Sequence, residues 1–251
     1  MPRFAANLTL LFREYPMMER FRAAREAGFD AVEVLFPYEH PLPAMRAALR
    51  LNELALALIN CPPPNRTGEE CGYAAMPGLA ERFRHDFRRT MRVAKALRPA
   101  HVHVMAGRAE GAVAQATFID NLQWAADQAP EQSLTIEPIN TGDMPGYFLA
   151  DFDLATEILD AVDRPNVNLQ FDTYHAQMIT GDMPATWKRH RERVVHVQVG
   201  GPPERHEPST GEIDHAAFFR QLDAEGYGGF VSGEYHPRGH TEEGLGWIAM
   251  P

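Results

Sequence analysis

Residues 167–172 read VNLQFD. Side chains of a strand alternate between two faces. Val167, Leu169 and Phe171 therefore share one face, and Asn168, Gln170 and Asp172 share the other. One wholly apolar face and one polar face ending in a carboxylate suit a stave of a closed parallel barrel, where helices cover the outside and the inside is a lumen. The same phase recurs in neighbouring segments. In SLTIEP (133–138) Leu134 and Ile136 take the outer face, leaving Thr135 and Glu137 inside. In VVHVQV (194–199) Val195, Val197 and Val199 are outer, leaving His196 and Gln198. In GFVSGEY (229–235) Val231 is outer, leaving Ser232 and Glu234. HVHVMA (101–106) sends Val102 and Val104 outward and turns His101, His103 and Met105 in.

Three further segments have strand character: FAANLT (4–9), AVEVLF (31–36) and LALALIN (54–60). Helical periodicity occupies the intervals, for example Met17–Ala27, Leu79–Leu97, Ala112–Gln128, Asp153–Val162 and His215–Glu225. Phe83, Phe87, Met91 and Ala94 fall on one face of the second of these. Gly28, Pro99 and Gly226 punctuate helix ends. Strand–helix alternation implies parallel neighbours, because each needs a crossover. Eight such units in 251 residues predict an α/β fold of the (β/α)8 TIM-barrel type, as a single domain over 1–251. An open doubly wound sheet is the alternative, but no GxGxxG follows the first strand. The longest loop, CPPPNRTGEECGYAAMPG (61–78), is a candidate cover for the site.

The chain carries 34 acids against 24 Lys and Arg, a formal charge of −10. That balance disfavours nucleic acid, which requires a clustered basic surface. It does not disfavour a small anion, which feels the local field of a cleft. No apolar run approaches the roughly 20 residues of a membrane span. The first residues, MPRFAANLTLLFREYP, lack a small-residue cleavage site. A cytoplasmic, reducing location is therefore expected, and no disulfide between Cys61 and Cys71. Two thiols nine residues apart without a CxxC make a poor zinc site.

Four consecutive strands thus end on a lumen-facing oxygen donor: Glu137, Asp172, Gln198 and Glu234. Their intervals are 35, 26 and 36 residues, about one βα unit each, and barrel active sites lie at that C-terminal face. Three carboxylates in one lumen need a counter-charge, or desolvation and repulsion will protonate some of them. A divalent cation supplies it, and all-oxygen donors favour Mg²⁺ or Mn²⁺ over zinc. A carboxylate at a strand end also caps helices, and Asp172 fits that reading equally well. Glu137 and Glu234 are too long to cap well. His103, His175 and His196 read as satisfied structural groups at least as readily as ligands. In PERHEP (203–208), Arg205 and His206 suit either a solvated loop or an anion grip.

Taken together, several motifs make the chain resemble bacterial hydroxypyruvate isomerases and their close relatives in the xylose-isomerase-like barrel superfamily, over almost its full length. They are RFAANLTLLF, GFDAVEVLFPYEH, HVHVMAG, IEPINTGDMPGYFL, QFDTYHAQ, HVQVGGPPERHEPSTGEID and GEYHPRGHTEEGLGW. The resemblance implies a metal-dependent aldose–ketose type isomerisation of a small hydroxy-oxo acid. The family's metal quartet maps onto Glu137, Asp172, Gln198 and Glu234. Many superfamily members have histidine where this chain has Gln198, which leaves the site without an obvious nitrogen donor. Glu137 and Glu234 are the expected proton carriers. His175 and His103 are expected near the substrate, and Arg205 or His206 at its carboxylate. MPRFAANL and PRGHTEEGLGW suit a branch that isomerises 2-oxo-tetronates, whereas EPINTGDMPGYF looks more like the hydroxypyruvate branch. The reading favours hydroxypyruvate, with 2-oxo-tetronate as the alternative. A dehydratase, a metal-dependent phosphodiesterase or endonuclease, and a non-catalytic sugar-acid binder are the competing classes. A homo-oligomer is compatible with the fold.

Overall fold

The computed structural model describes residues 2–62 and 71–250. Among them, eight strands close into a barrel in chain order. They are β1 (Arg3–Asn7), β2 (Ala31–Glu33), β3 (Ala55–Cys61), β4 (His101–Val104), β5 (Ser133–Ile136), β6 (Val167–Asp172), β7 (Val194–Val199) and β8 (Phe230–Gly233). Every adjacent pair is parallel, including β1 with β8. All eight fall on the segments expected to be strands, with β1 beginning one residue before its segment and β3 ending one residue after. The middle of the 61–78 loop, residues 63–70, lies outside the described residues, and with it the expectation of a cover.

The expected helices are α1 (Met17–Glu26), α3 (Ala80–Leu97), α4 (Gly111–Gln128), α5 (Phe152–Val162) and α8 (His215–Ala224). The structure adds α2 (Leu42–Leu51), α6 (Thr173–Thr180) and α7 (Met183–His190). The last two share one crossover because Gly181, at φ +73°, turns the chain left-handed after α6. Asp182 then caps α7 through the Ala185 N–H.

Outward residues of the strands join the helix faces in one large core, which takes in Val102, Val104, Leu134, Ile136, Leu169, Phe171, Val197, Val199 and Val231. One expectation is corrected. Val194 and Val195 are both half-buried, but it is Val194 that packs against that core. The β6–β7 register slips there, from Leu169 opposite Val194 to Gln170 opposite His196, so Val195 is the extra residue of a bulge. Inside the barrel, Ala5, Ala31, Ala57 and Phe230 form a separate apolar cluster at the lumen floor. Polar side chains stand above it on the same strand faces.

A 3₁₀ segment, Thr241–Ala249, seals the β1–β8 seam. Trp247 packs edge-on against Phe4 at 5.2 Å and donates its indole N–H to the Tyr235 hydroxyl at 3.0 Å. Residue 233 must be glycine, since a Cβ there would lie 2.8 Å from Trp247 Cζ2. Thr241 ties the segment to the β1–α1 loop. It donates to Glu14 (2.8 and 3.2 Å) and accepts from the Phe12 N–H at 2.7 Å.

Replacing a buried aromatic by alanine typically costs about 3–5 kcal/mol. Trp247→Ala is therefore expected to lower the melting temperature by roughly 6–20 °C for a chain of this size, read by calorimetry. A change under about 2 °C would show that the segment does not hold the seam closed.

Candidate active site

Glu137 follows β5 directly, Asp172 ends β6, Gln198 lies near the end of β7 and Glu234 follows β8. All four are buried at one mouth of the lumen, from 0% exposed for Asp172 and Gln198 to 8% for Glu234. Asp172 resolves its two readings by doing both. One oxygen, Oδ1, accepts the Tyr174 N–H at 2.8 Å and caps α6. The other, Oδ2, is turned to the site, where the Arg205 guanidinium reaches it at 2.6 Å. Arg205 also stands 3.5 Å from Glu234 Oε1 and lies over the Tyr174 ring.

The electrostatics follow from burial. Desolvation, then repulsion from Glu234 and Asp172, pushes the Glu137 carboxyl well above its usual range. Desolvation pushes Glu234 up to about 8, with Arg205 pulling the other way and Asp172 adding to the rise. Burial lowers the Arg205 guanidinium, but Glu234, Asp172 and Glu137 outweigh it and the net shift is upward. One arginine thus faces three buried acids, which leaves the mouth acidic and suited to a further cation.

Histidines behave differently from the expectation. His175 was expected beside the substrate, in a site with no obvious nitrogen donor. Its ring reaches the acids: one ligand atom each from Glu137, Asp172 and His175 lies within 4.8 Å of the others. Its Nδ1 meets the Asn140 side-chain amide at 2.8 Å and accepts from the Asn140 backbone N–H at 3.4 Å. Asn140 Oδ1 is itself taken by the Asp143 N–H at 3.0 Å, which fixes the amide's direction. Desolvation and then Arg205 hold His175 well below its usual pKa, so the ring is neutral. With Nδ1 accepting, its one proton sits on Nε2, 3.8 Å from Asp172 Oδ2. An N–H there donates and does not ligate, so the ligating atoms left at the mouth are oxygens.

His103 is fully buried, with Nδ1 3.5 Å from Glu137 Oε2, and desolvation lowers it to about 3. It stands behind Glu137. His206 bonds through Nδ1 to the His236 carbonyl at 2.7 Å, and among the described residues no bond joins it to the four oxygen donors. Of the two anion-grip candidates, only Arg205 reaches them.

The residues fit a hard divalent ion. Glu137 Oε1 is buried with no hydrogen-bond partner, and three carboxylates and one amide line the same mouth. Such a set matches Mg²⁺ or Mn²⁺ rather than a thiophilic metal.

Sequence reasoning missed Glu33. It is fully buried in the lumen, accepts from Asn7 (3.1 Å) and Gln198 (3.0 Å), and pairs with His196. The signal was present in AVEVLF, where Glu33 shares the face of Ala31. The Tyr174–Asp143 hydrogen bond (3.0 Å) at the rim and the Asn140–His175 pair were also missed, since each joins the start of α6 to the β5–α5 loop.

Residues 21–249 match the model of the xylose isomerase-like TIM barrel family, and the chain belongs to that family. It is 44% identical over 254 residues to a 2-oxo-tetronate isomerase of Cupriavidus necator, covering 99% of this chain and 98% of that protein. It is 35% identical to the hydroxypyruvate isomerase of Escherichia coli, with the same coverage. A Brucella melitensis structure described as an AP endonuclease, family 2, superposes with a TM-score of 0.95 at 42% identity, covering 99% and 98% of the two chains. The chain is an enzyme of the isomerase class. Among the described residues no helix is long and apolar enough to cross a membrane.

Removing Glu33 would strand the Asn7 and Gln198 amides and His196 without their acceptor. Breaking such a buried polar cluster costs about 3–5 kcal/mol. Glu33→Ala is expected to melt roughly 6–20 °C lower than the wild type. An unchanged unfolding curve would show that this carboxylate does not hold the lumen together.

Proposed function

We propose that the enzyme moves the oxo group of a small 2-oxo-3-hydroxy acid between neighbouring carbons, and that a 2-oxo-tetronate is the acid. The observation that carries the chemistry is the placement of Glu137 and Glu234, both buried and both raised above the usual carboxylate range, at one mouth with Asp172. A group that must both take and return a proton works best with a pKa near the working pH.

The reaction breaks the C3–H bond and forms a C2–H bond. One glutamate takes the C3 proton while the C2 carbonyl accepts the electron pair, giving an enediolate. The other glutamate delivers a proton to C2, the C3 hydroxyl passes its proton to the C2 oxygen as C3 becomes the carbonyl, and proton exchange with solvent resets the two glutamates. Atoms and electrons balance with no external oxidant. Mg²⁺ or Mn²⁺ held by Glu137, Asp172, Glu234 and Gln198 Oε1 would supply positive charge for the enediolate oxygens. His175, with its proton on Nε2, donates toward those oxygens. Arg205 offers the guanidinium that a substrate carboxylate requires, and its Nε has no partner. Burial of the mouth strengthens each of these interactions.

The choice of acid rests on similarity. The 2-oxo-tetronate isomerases of Cupriavidus necator and Pectobacterium atrosepticum are 44% and 41% identical to this chain, against 35% for the Escherichia coli hydroxypyruvate isomerase. Hydroxypyruvate, which the sequence favoured, is the second reading. The human putative hydroxypyruvate isomerase, at 42%, supports it. Both acids share the reacting carbons and differ by one hydroxymethyl group. Endonuclease chemistry, named for the Brucella structure, fits poorly with a chain of charge −10.

Rates on both acids, followed by NMR with added Mn²⁺, test the proposal. Faster turnover of the tetronate is expected, with no loss of water from either acid. Glu137→Gln and Glu234→Gln should each lower kcat by about 10²–10⁴-fold. Full activity in either would remove the two-carboxylate mechanism. Treatment with chelator should abolish turnover, and Mg²⁺ or Mn²⁺ should restore it.

A further inference from the structure

Four lumen side chains form a line of hydrogen bonds with a fixed direction. Gln198 Nε2 donates to Glu33 Oε2 at 3.0 Å. Gln198 Oε1 then accepts from Gln170 Nε2 at 2.6 Å. Gln170 Oε1 accepts from the Thr135 hydroxyl at 3.0 Å. The direction is set at the Glu33 end, because a carboxylate only accepts. That forces the amide nitrogen of Gln198 toward Glu33 and its oxygen toward Gln170. Gln170 must answer with its nitrogen, and its own oxygen falls to Thr135.

The same Gln170 nitrogen has a second acceptor, Glu137 Oε2, at 3.0 Å. Its position is built into the sheet. Ile136 is opposite Leu169, so the next residues, Glu137 and Gln170, stand side by side. On its other side the register slips at Leu169/Gln170 and turns Gln170 toward the Gln198 strand. Gln170 is 1% exposed, beneath the mouth. Were its amide flipped, its oxygen would face two oxygens in a desolvated lumen, which burial heavily penalises.

From this geometry we infer that Gln170 is a positioning residue: one amide nitrogen, held in direction by Glu33 at one end of the line and Thr135 at the other, orients Glu137 and Gln198 together. By occupying Glu137 Oε2 it leaves Oε1, buried and unpartnered, as the atom facing the reaction. Gln170 does not touch the substrate. Thr135 acts only through Gln170.

The test uses Gln170→Met, which keeps length and volume but removes the amide, and Thr135→Val, which removes only the hydroxyl. Crystal structures come first, since they do not depend on which acid the enzyme turns over. In Gln170→Met, Glu137 and Gln198 are expected to leave their wild-type rotamers or to occupy several. Finding both unmoved overturns the inference. Kinetics on the faster acid add a readout that a merely structural role would not move. Losing a hydrogen bond to a charged group is expected to lower kcat roughly 10- to 100-fold with KM changed less than about threefold. Thr135→Val is expected to lower kcat in the wild-type background and to have no effect in the Gln170→Met background. Equal effects in both backgrounds would overturn the line as drawn. Should Gln170→Met fail to fold, Thr135→Val carries the test alone. Two orientations of Glu137 support the inference and one unchanged orientation sinks it. If the wild type turns over neither acid, the proposed function falls, while the crystallographic comparison still decides the role of Gln170.

Discussion

Water is scarce where this barrel collects its charge. Closing eight parallel strands sends alternate side chains into one narrow lumen, and the chain places carboxylates there from β2, β5, β6 and β8 or their ends. Each must find a partner inside, because desolvation disfavours an isolated charge by several kcal/mol. The rest of the interior can be understood as an answer to that demand. At the floor the lumen is apolar, with Ala5, Ala31, Ala57 and Phe230. In the middle Glu33 is fully surrounded by Asn7, His196 and Gln198. Among the described residues, the buried carboxylate oxygen left without a donor is Glu137 Oε1 at the top, which is the end where barrel active sites lie.

The two levels are not independent. Glu33 bonds directly to the Gln198 side chain at 3.0 Å, and it determines which end of that amide points upward. An amide has an oxygen and a nitrogen face of similar size, so packing alone cannot choose between them. A fixed acceptor can. The upward oxygen in turn makes the donor set at the mouth all-oxygen. His175, the nitrogen group brought to that cluster, presents an N–H. The hard ion proposed for this site therefore rests on hydrogen bonding in the lumen as much as on the residues at its rim.

Strand phase was legible in the sequence because it needs only a period of two and flanking turns. It placed all eight strands and the four oxygen donors. Its failures have local causes. Val195 was assigned outward because a bulge adds one residue without changing composition. Thr173–Thr180 is short, and its helical start is hidden behind Asp172, whose cap is visible only once the backbone folds. Glu33 was legible by the same rule that found Glu234, since it shares the inward face of Ala31. The state of His175 was not legible at all. It depends on Asn140, 35 residues away in sequence and on the β5–α5 loop, whose direction depends in turn on Asp143.

Arg205 shows how a loop can meet a demand that strands cannot. Its backbone is at φ +56°, in the left-handed region that costs a non-glycine residue roughly 1–2 kcal/mol. Such strain persists only where the surroundings over-determine it, and here they do. Gly201 and His206 exchange backbone hydrogen bonds at 2.8 and 3.1 Å around it, and the Arg205 carbonyl accepts from the His236 N–H at 2.8 Å. Gly201 has no room for a Cβ, which would lie 2.4 Å from the Thr210 carbonyl oxygen. The β7–α8 loop is thus pinned to the chain that follows Glu234, and the guanidinium is carried to Asp172 and Glu234 by backbone bonds rather than by its own flexible side chain. A cation delivered this way balances part of the buried negative charge and leaves its Nε unbonded. The site is then acidic where the proposed metal ion would bind and still cationic at one edge, which is the combination the proposed oxo acid would need to enter and react.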